Sequence, residues 1–312
     1  MADGKWIRGL HSDLDVVDAA RIVLKARVEA VRRYLPLAAK KAFEDSEYVH
    51  QTRVATRRIG AAVELFREYL QEKRHRKIRK QFKQIRRIAG AARDWDVFQE
   101  IVSQWALARP KREQPGVEFL LGVGFSKRED AQVELAKLVT AAPSVAEVVD
   151  SLQRSEPSPR TLGCLAVPAL KECIANLESS IAADQGQYEH LHRIRIAGKR
   201  LRYAMEICVE CFDSRLREFV YPAIEELQEI LGSANDSHVI VQWLTPLIKR
   251  SSQLPDFTRR RVRPGISRFL TEQRRILVRQ RRAYAGWSKK WRTLRATLVD
   301  MQLAPPPEDS RS

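Results

Sequence analysis

Residues 50–58 read HQTRVATRR and residues 192–200 read HRIRIAGKR, one pattern of His, Arg and a basic pair met twice at an offset of 142 residues. A second pair of stretches keeps that offset: residues 85–97 read IRRIAGAARDWDV and residues 227–239 read LQEILGSANDSHV. Two separated matches with no net insertion between them are hard to obtain by chance. The chain therefore reads as a duplicated unit, roughly 1–154 and 160–303.

The repeats are helical. Glycine is scarce, and apolar residues recur at helical spacing nearly everywhere. The pattern predicts helices near 13–41, 46–70, 73–92, 94–108, 116–139, 162–184, 188–212, 214–232, 235–251 and 257–299. Breaks are expected at Arg109-Pro110 to Pro115-Gly116 and at Ser155-Glu156-Pro157-Ser158-Pro159, the second being the better boundary between halves. The Pro-rich segment 304–312, APPPEDSRS, reads as a disordered tail.

On a helix advancing about 100° per residue, His50, Arg53 and Arg57 fall in one narrow stripe, with Arg58 on its flank. Ile59, Ala62, Val63, Phe66 and Leu70 lie opposite and should face the core. The second copy repeats this with His192, Arg195 and Lys199, flanked by Arg200 and Arg202, with Tyr203 one turn on. Its apolar side is Leu201, Ala204, Met205, Cys208 and Phe212. One basic stripe opposite a core is usually a solvated face. A stripe duplicated at matched positions points to anion binding.

The next helix extends the basic surface. Ten Lys or Arg and no acidic residue lie between Lys73 and Arg93, with Arg76, Arg79, Lys80, Lys83, Arg86 and Arg87 on its outer face. Like charges at i,i+4 destabilise a helix by a few tenths of a kcal/mol, so an unmixed stripe implies an external anion. The matching segment of the second half carries Glu218, Glu225, Glu226 and Glu229, so this surface is not repeated. The last helix offers another: Arg261, Arg268, Arg275, Arg282 and Lys289 recur every seven residues, with Arg279 alongside. Gly90 and Gly232 sit where helix ends are expected, and Asp94, Asn235 and Asp236 read there as N-caps of following helices, Asp94 alternatively as a partner of Arg93. The pair Asp94-x-Asp96 has no counterpart in the second copy, where His238 replaces Asp96, so capping is preferred to a metal site.

Composition agrees. The chain holds 56 Lys and Arg against 39 Asp and Glu, a net charge of +17, which bears on partners rather than fold. No apolar run reaches the roughly 18 residues that span a bilayer, and the first residues show no apolar leader, so a cytosolic protein without membrane contact is expected. The four cysteines include a C-x-x-C at Cys208 and Cys211 inside a helical pattern, better read as core packing in a reducing compartment than as zinc ligands.

The stretches HQTRVATRR, FKQIRRIAGAARDWDV, LHRIRIAGKRLRY and LQEILGSANDSHV, in that order, resemble the CHAD family, a histidine-containing α-helical domain. The resemblance implies two pseudo-symmetric four-helix bundles forming one domain, and inorganic polyphosphate as ligand in a basic groove or channel between them. It carries over to His50, Arg53, Arg57, Arg58, His192, Arg195, Lys199 and Arg200 as binding positions. The second copy departs from the pattern at Asn235, Ser237 and His238. The expectation is non-enzymatic polyphosphate binding, with no cofactor and with association with polyphosphate granules in the cytoplasm. The alternative is sequence-independent RNA or DNA binding on the same surfaces; against it, residues 50–58 and 73–93 are nearly free of the aromatics on which single strands stack. A phosphohydrolase would need Mg²⁺-holding carboxylates or a placed nucleophile, and the stripes contain neither, nor any P-loop.

Overall fold

A computed structural model describes residues 4–153, 160–184, 186–250, 253 and 255–304. These form α1 (Val16–Lys41), α2 (Glu47–Leu65), α3 (Glu72–Ala106), α4 (Gln114–Ala136), a short α5 (Val145–Val149), α6 (Leu162–Ala182), α7 (Tyr188–Cys208), α8 (Tyr221–Arg250) and α9 (Asp256–Asp300). The described residues pair in extended form only at two isolated bridges, Asp15 with Thr161 and Leu70 with Leu152. The fold is all-α, as expected.

Local chemistry places the ends. The Asp15 carboxylate accepts from the Val17 and Asp18 amides at the start of α1, and Thr161 Oγ1 accepts from Cys164 N at the start of α6. The elements of the two halves stay in step. Shifting α2 by 142 residues gives 189–207, against Tyr188–Cys208 for α7. The 3₁₀ turns that follow, Arg67–Tyr69 and Val209–Cys211, differ by the same number.

Two expected breaks do not occur. The pattern suggested helix ends at Gly90 and Gly232, yet α3 runs 35 residues and α8 runs 30 straight through them. A glycine in a helix interior costs only about 1 kcal/mol relative to Ala, and neither segment contains a proline at that point. Packing along both helices outweighs that cost. Asp94, Asn235 and Asp236 are consequently mid-helix residues and cap nothing. The boundary at Ser155–Pro159 lies outside the described residues. So does the tail apart from Ala304, which is buried and whose amide donates to Leu298 O.

The predicted apolar faces are buried: Ile59, Ala62, Val63, Phe66 and Leu70 on α2 and beyond it, Leu201, Ala204, Met205 and Cys208 on α7. The main core joins both halves, for Leu24, Ile59 and Phe82 belong to the same cluster as Leu170, Leu201, Leu227 and Trp287. A second cluster gathers Phe98 and Val102 of α3 and Leu120 of α4 with Ile240 and Leu244 of α8 and Ile266 and Phe269 of α9. At the crossing of α4 and α9 the backbones touch. A Cβ at Gly116 would sit 2.4 Å from Val262 O, and one at Gly265 would sit 2.3 Å from Glu113 O, so both positions need glycine. The consequence for function is that α2 packs against α7, and α3 against α8, which brings the two motif copies to one seam.

Candidate polyanion-binding site

Four cations meet at the seam. Arg53 and Arg57 come from α2, Arg195 and Lys199 from α7, and each lies within electrostatic reach of others in the set. All four are partly buried. Two carboxylates face them. Arg53 Nη1 donates to Asp94 Oδ1 at 2.5 Å and to Gly90 O at 2.9 Å. Arg195 faces Asp236 and, further, Asp94. Asp94 and Asp236 are again 142 residues apart. Their role is therefore counter-anion to the first arginine of each stripe, neither cap nor partner of Arg93. Gly90 takes part through its backbone, since its carbonyl accepts from the Arg53 guanidinium.

The excess of positive charge shows in the acid–base properties. Burial, with the Arg57, Arg195 and Arg53 charges adding to it, pushes the Lys199 ammonium down to about 5. Burial and Arg53 bring Arg57 down to about 10. Burial likewise lowers Arg195, against the pull of Asp236. Arg57 also donates to the Tyr203 hydroxyl. The two histidines flank the cluster, His50 half-buried and His192 exposed. Both sit below the ordinary imidazole value, chiefly through desolvation and then through arginine or lysine neighbours. Next to His192, Tyr188 stacks on His238 with ring centroids 3.4 Å apart, and its hydroxyl donates to Asn235 Oδ1 at 3.2 Å.

The remaining sequence candidates lie elsewhere. Arg58 is buried and donates through Nε to Glu206 Oε2 at 2.7 Å. It was expected on the stripe's flank; the helix rotation instead turns it into the α2–α7 contact. Glu206 has no exposed side-chain surface, accepts from the Tyr221 hydroxyl at 3.0 Å, and has Arg202 Nε at 3.5 Å and Arg27 at 3.8 Å. Arg202 is drawn into the same network through Tyr221 at 3.1 Å and Glu225 at 3.2 Å. Arg58 and Arg202 are therefore structural. Arg200 is exposed.

On α3, Arg76, Arg79, Lys80, Lys83, Arg86 and Arg87 are all exposed. The stripe is less unmixed in space than in sequence, because Arg76 pairs with Glu72, Lys77 with Glu147 at 2.7 Å and Arg79 with Glu64 at 3.6 Å. On α9, Arg275, Arg279 and Arg282 are exposed, and Arg275 lies 3.8 Å from Glu272. That helix packs chiefly on α8 and α4, so its arginines do not join the seam cluster.

The carboxylate pair once considered for a metal is split, since Asp96 pairs with buried Arg128 on α4. Among the described residues no group of three or more His, Cys, Asp or Glu side chains is placed to hold a metal ion. The thiols of Cys173, Cys208 and Cys211 are pushed up by burial, and all four cysteines are free. The cleft between α3 and α8 lined by Asp94, Phe98, Asn235, Asp236 and Trp243 has a volume of about 10 Å³, room for about one water. No helix among the described residues is long and apolar enough to cross a membrane.

Glu206 and the counter-anion role of Asp94 and Asp236 escaped the sequence reading. The signal for the aspartates was present in their shared offset. For Glu206 the same offset leads to Glu64, which is exposed, so the correspondence does not mark Glu206 as buried.

The fold has close relatives in shape. The CHAD domain of the plant Ricinus communis, known from its crystal structure, aligns over 91% of this chain and 92% of its own at 21% identity, with a TM-score of 0.64. PptA from Streptomyces chartreusis aligns over 88% of this chain and 99% of its own at 14% identity, with a TM-score of 0.61. Comparison with curated proteins gives no match. The profile of the CHAD domain matches residues 22–245, more than half the chain, and the chain belongs to the CHAD domain family.

Proposed function

We propose that this protein binds inorganic polyphosphate, without chemistry on it, at the seam where the two His-x-x-Arg motifs meet. The observation that carries the reading is the cluster of Arg53, Arg57, Arg195 and Lys199 faced, among the described residues, by the carboxylates of Asp94 and Asp236, with burial depressing Arg57, Arg195 and Lys199. Uncompensated cations cost stability at such a site, so their retention fits a ligand that supplies the missing anions. The small volume of the adjoining cleft favours an extended ligand laid over the helices rather than a compact one enclosed between them. A phosphate chain carries about one charge per unit and can meet the seam and then the exposed Lys80, Lys83, Arg86 and Arg87 of α3. Family membership supports the same ligand.

The reading of a binder rather than an enzyme rests on the carboxylates. Asp94 and Asp236 face arginines, so they are positioned as counter-ions rather than as general bases. A cytoplasmic place beside polyphosphate granules follows from the ligand.

Titration of the full chain with medium-chain polyphosphate at two salt concentrations tests the proposal. Wild type should bind with an affinity that falls steeply with salt, as expected when many phosphate contacts release counter-ions. The double variant Arg53→Ala, Arg195→Ala should lose most of that affinity. Unchanged binding in the variant would move the polymer off the seam. The exposed cations of α3 and α9 favour a second reading, sequence-independent nucleic-acid binding. Competition separates the two, since under the first reading polyphosphate displaces RNA at low concentration and RNA does not displace polyphosphate.

A further inference from the structure

We propose that Asp94 and Asp236 are resident counter-anions that exclude small phosphates from the seam and yield only to a ligand engaging several of its cations at once. The inference rests on the polyphosphate reading above and adds the basis of its selectivity. Three features of the site support it.

The first is placement. Each aspartate faces the first arginine of one motif copy, Asp94 on Arg53 by a direct ion pair and Asp236 on Arg195. The second is unequal mobility. The Asp94 side chain is 43% exposed while that of Arg53 is 19% exposed and is also anchored on Gly90 O. The carboxylate can therefore turn into water at little cost, whereas the guanidinium stays where a ligand would meet it. The third is stoichiometry. Arg57 and Lys199 stand in the same cluster with no ion pair to a carboxylate among the described residues: Arg57 meets the Tyr203 hydroxyl, and the carboxylate that acts on Lys199 is Asp236, already opposite Arg195.

Orthophosphate arriving at Arg53 exchanges one charge-assisted contact for another and gains little. A polymer that has displaced Asp94 reaches Arg57, Lys199 and Arg195 next. Each further contact forms within one already tethered chain, at a high effective concentration. The carboxylates thus set a threshold that one phosphate does not cross and a row of phosphates does.

The test is calorimetric titration of the full chain with medium-chain polyphosphate and, separately, with orthophosphate. Wild type is compared with Asp94→Asn, Asp236→Asn and the double variant. Asparagine preserves size and a carbonyl acceptor while removing the charge. The expected result is polymer binding about tenfold tighter for each charge removed, the scale of one charge-assisted contact. Orthophosphate titrated by itself should bind the double variant about tenfold tighter than it binds wild type. The single variants carry the test if the double variant does not fold. Equal or weaker polymer binding in the variants, with wild type binding normally, overturns the proposal and leaves the aspartates as braces for the arginines. Absence of polymer binding in wild type overturns the functional reading itself, and this inference with it.

Discussion

Replacing Lys199 with Met should make the ligand-free protein more stable at neutral pH and alter the shape of its pH profile. Lys199 lies among Arg53, Arg57 and Arg195, and burial with those charges pushes its ammonium from 10.5 down to about 5. In the unfolded chain the same lysine titrates near its ordinary value of about 10.4. Between those limits the unfolded state holds a proton that the native state lacks. Unfolding free energy therefore rises with pH across that window, by up to about 1.4 kcal/mol per unit. Over the two units from pH 6 to pH 8 the wild type should gain up to ~3 kcal/mol relative to Lys199→Met, other titrations cancelling in the difference. Methionine keeps the length and packing of the side chain and removes the charge. The variant is spared the cost of giving up that proton on folding, so it should unfold at higher urea at pH 6 and lose that advantage towards pH 9. Urea denaturation of both proteins at pH 6, 7.5 and 9 measures this. Saturating polyphosphate should reverse the ranking, because bound phosphate returns the proton and stabilises the wild type more, most of all at low pH. Parallel pH profiles without ligand would mean that Lys199 is charged in the bare site, and the argument from uncompensated cations would fail with it.

Other consequences are simpler to state. Glu206→Ala leaves Arg27 and Arg58 buried around a missing carboxylate and should cost about 3–5 kcal/mol in chemical denaturation, with Arg58→Met in the same chain restoring part of the loss. Arg58→Ala should lower stability while leaving the salt dependence of polymer binding as in wild type, opposite to the outcome for Arg53→Ala, read by the same titration. His50 and His192 are held below the ordinary imidazole value in the bare site, so polymer binding should take up protons and tighten as pH falls below about 6.5; calorimetry in buffers of different ionisation enthalpy counts those protons. Gly265→Ala places a Cβ 2.3 Å from Glu113 O, a backbone atom, and should lower the melting midpoint by an amount worth about 1–3 kcal/mol or more.

Much of the fold was legible because helical periodicity is a local property. The apolar faces of α2 and α7 follow from spacing alone, and Ile59, Phe66 and Leu201 are buried as read. What failed was punctuation. Gly90 looked like a helix end because glycine there has no local justification, yet α3 runs through it, and Arg53, thirty-seven positions away in the chain, donates to its carbonyl. The three residues read as caps, Asp94, Asn235 and Asp236, suffered from the same blindness, since a carboxylate in a helix interior is explained only by what the neighbouring helix brings to it. The sign of the α3 stripe was misjudged for a related reason. Glu64 and Glu147 approach it from other elements, which no count along the segment reveals.

The comparison of Arg58 with Arg200 carries the argument one step further. At the 142-residue offset these residues correspond, as do Glu64 and Glu206. Two matched pairs would allow two equivalent ion pairs across the seam, Arg58 with Glu206 and Arg200 with Glu64. Only the first forms: it is buried and reinforced by Tyr221, Arg202 and Arg27, whereas Glu64 lies 3.6 Å from Arg79 and Arg200 is exposed. The seam is thus locked on one side by a buried carboxylate and solvated on the other. A cluster of like charges needs such a lock, because repulsion among Arg53, Arg57 and Arg195 pushes α2 and α7 apart whenever no anion lies between them. Glu206 holds the helices together in the empty state, and it does so outside the cluster, where it does not compete with the ligand. Arg57, proposed to bind, and Arg58, which braces the seam, are therefore neighbours in sequence with opposite expected phenotypes.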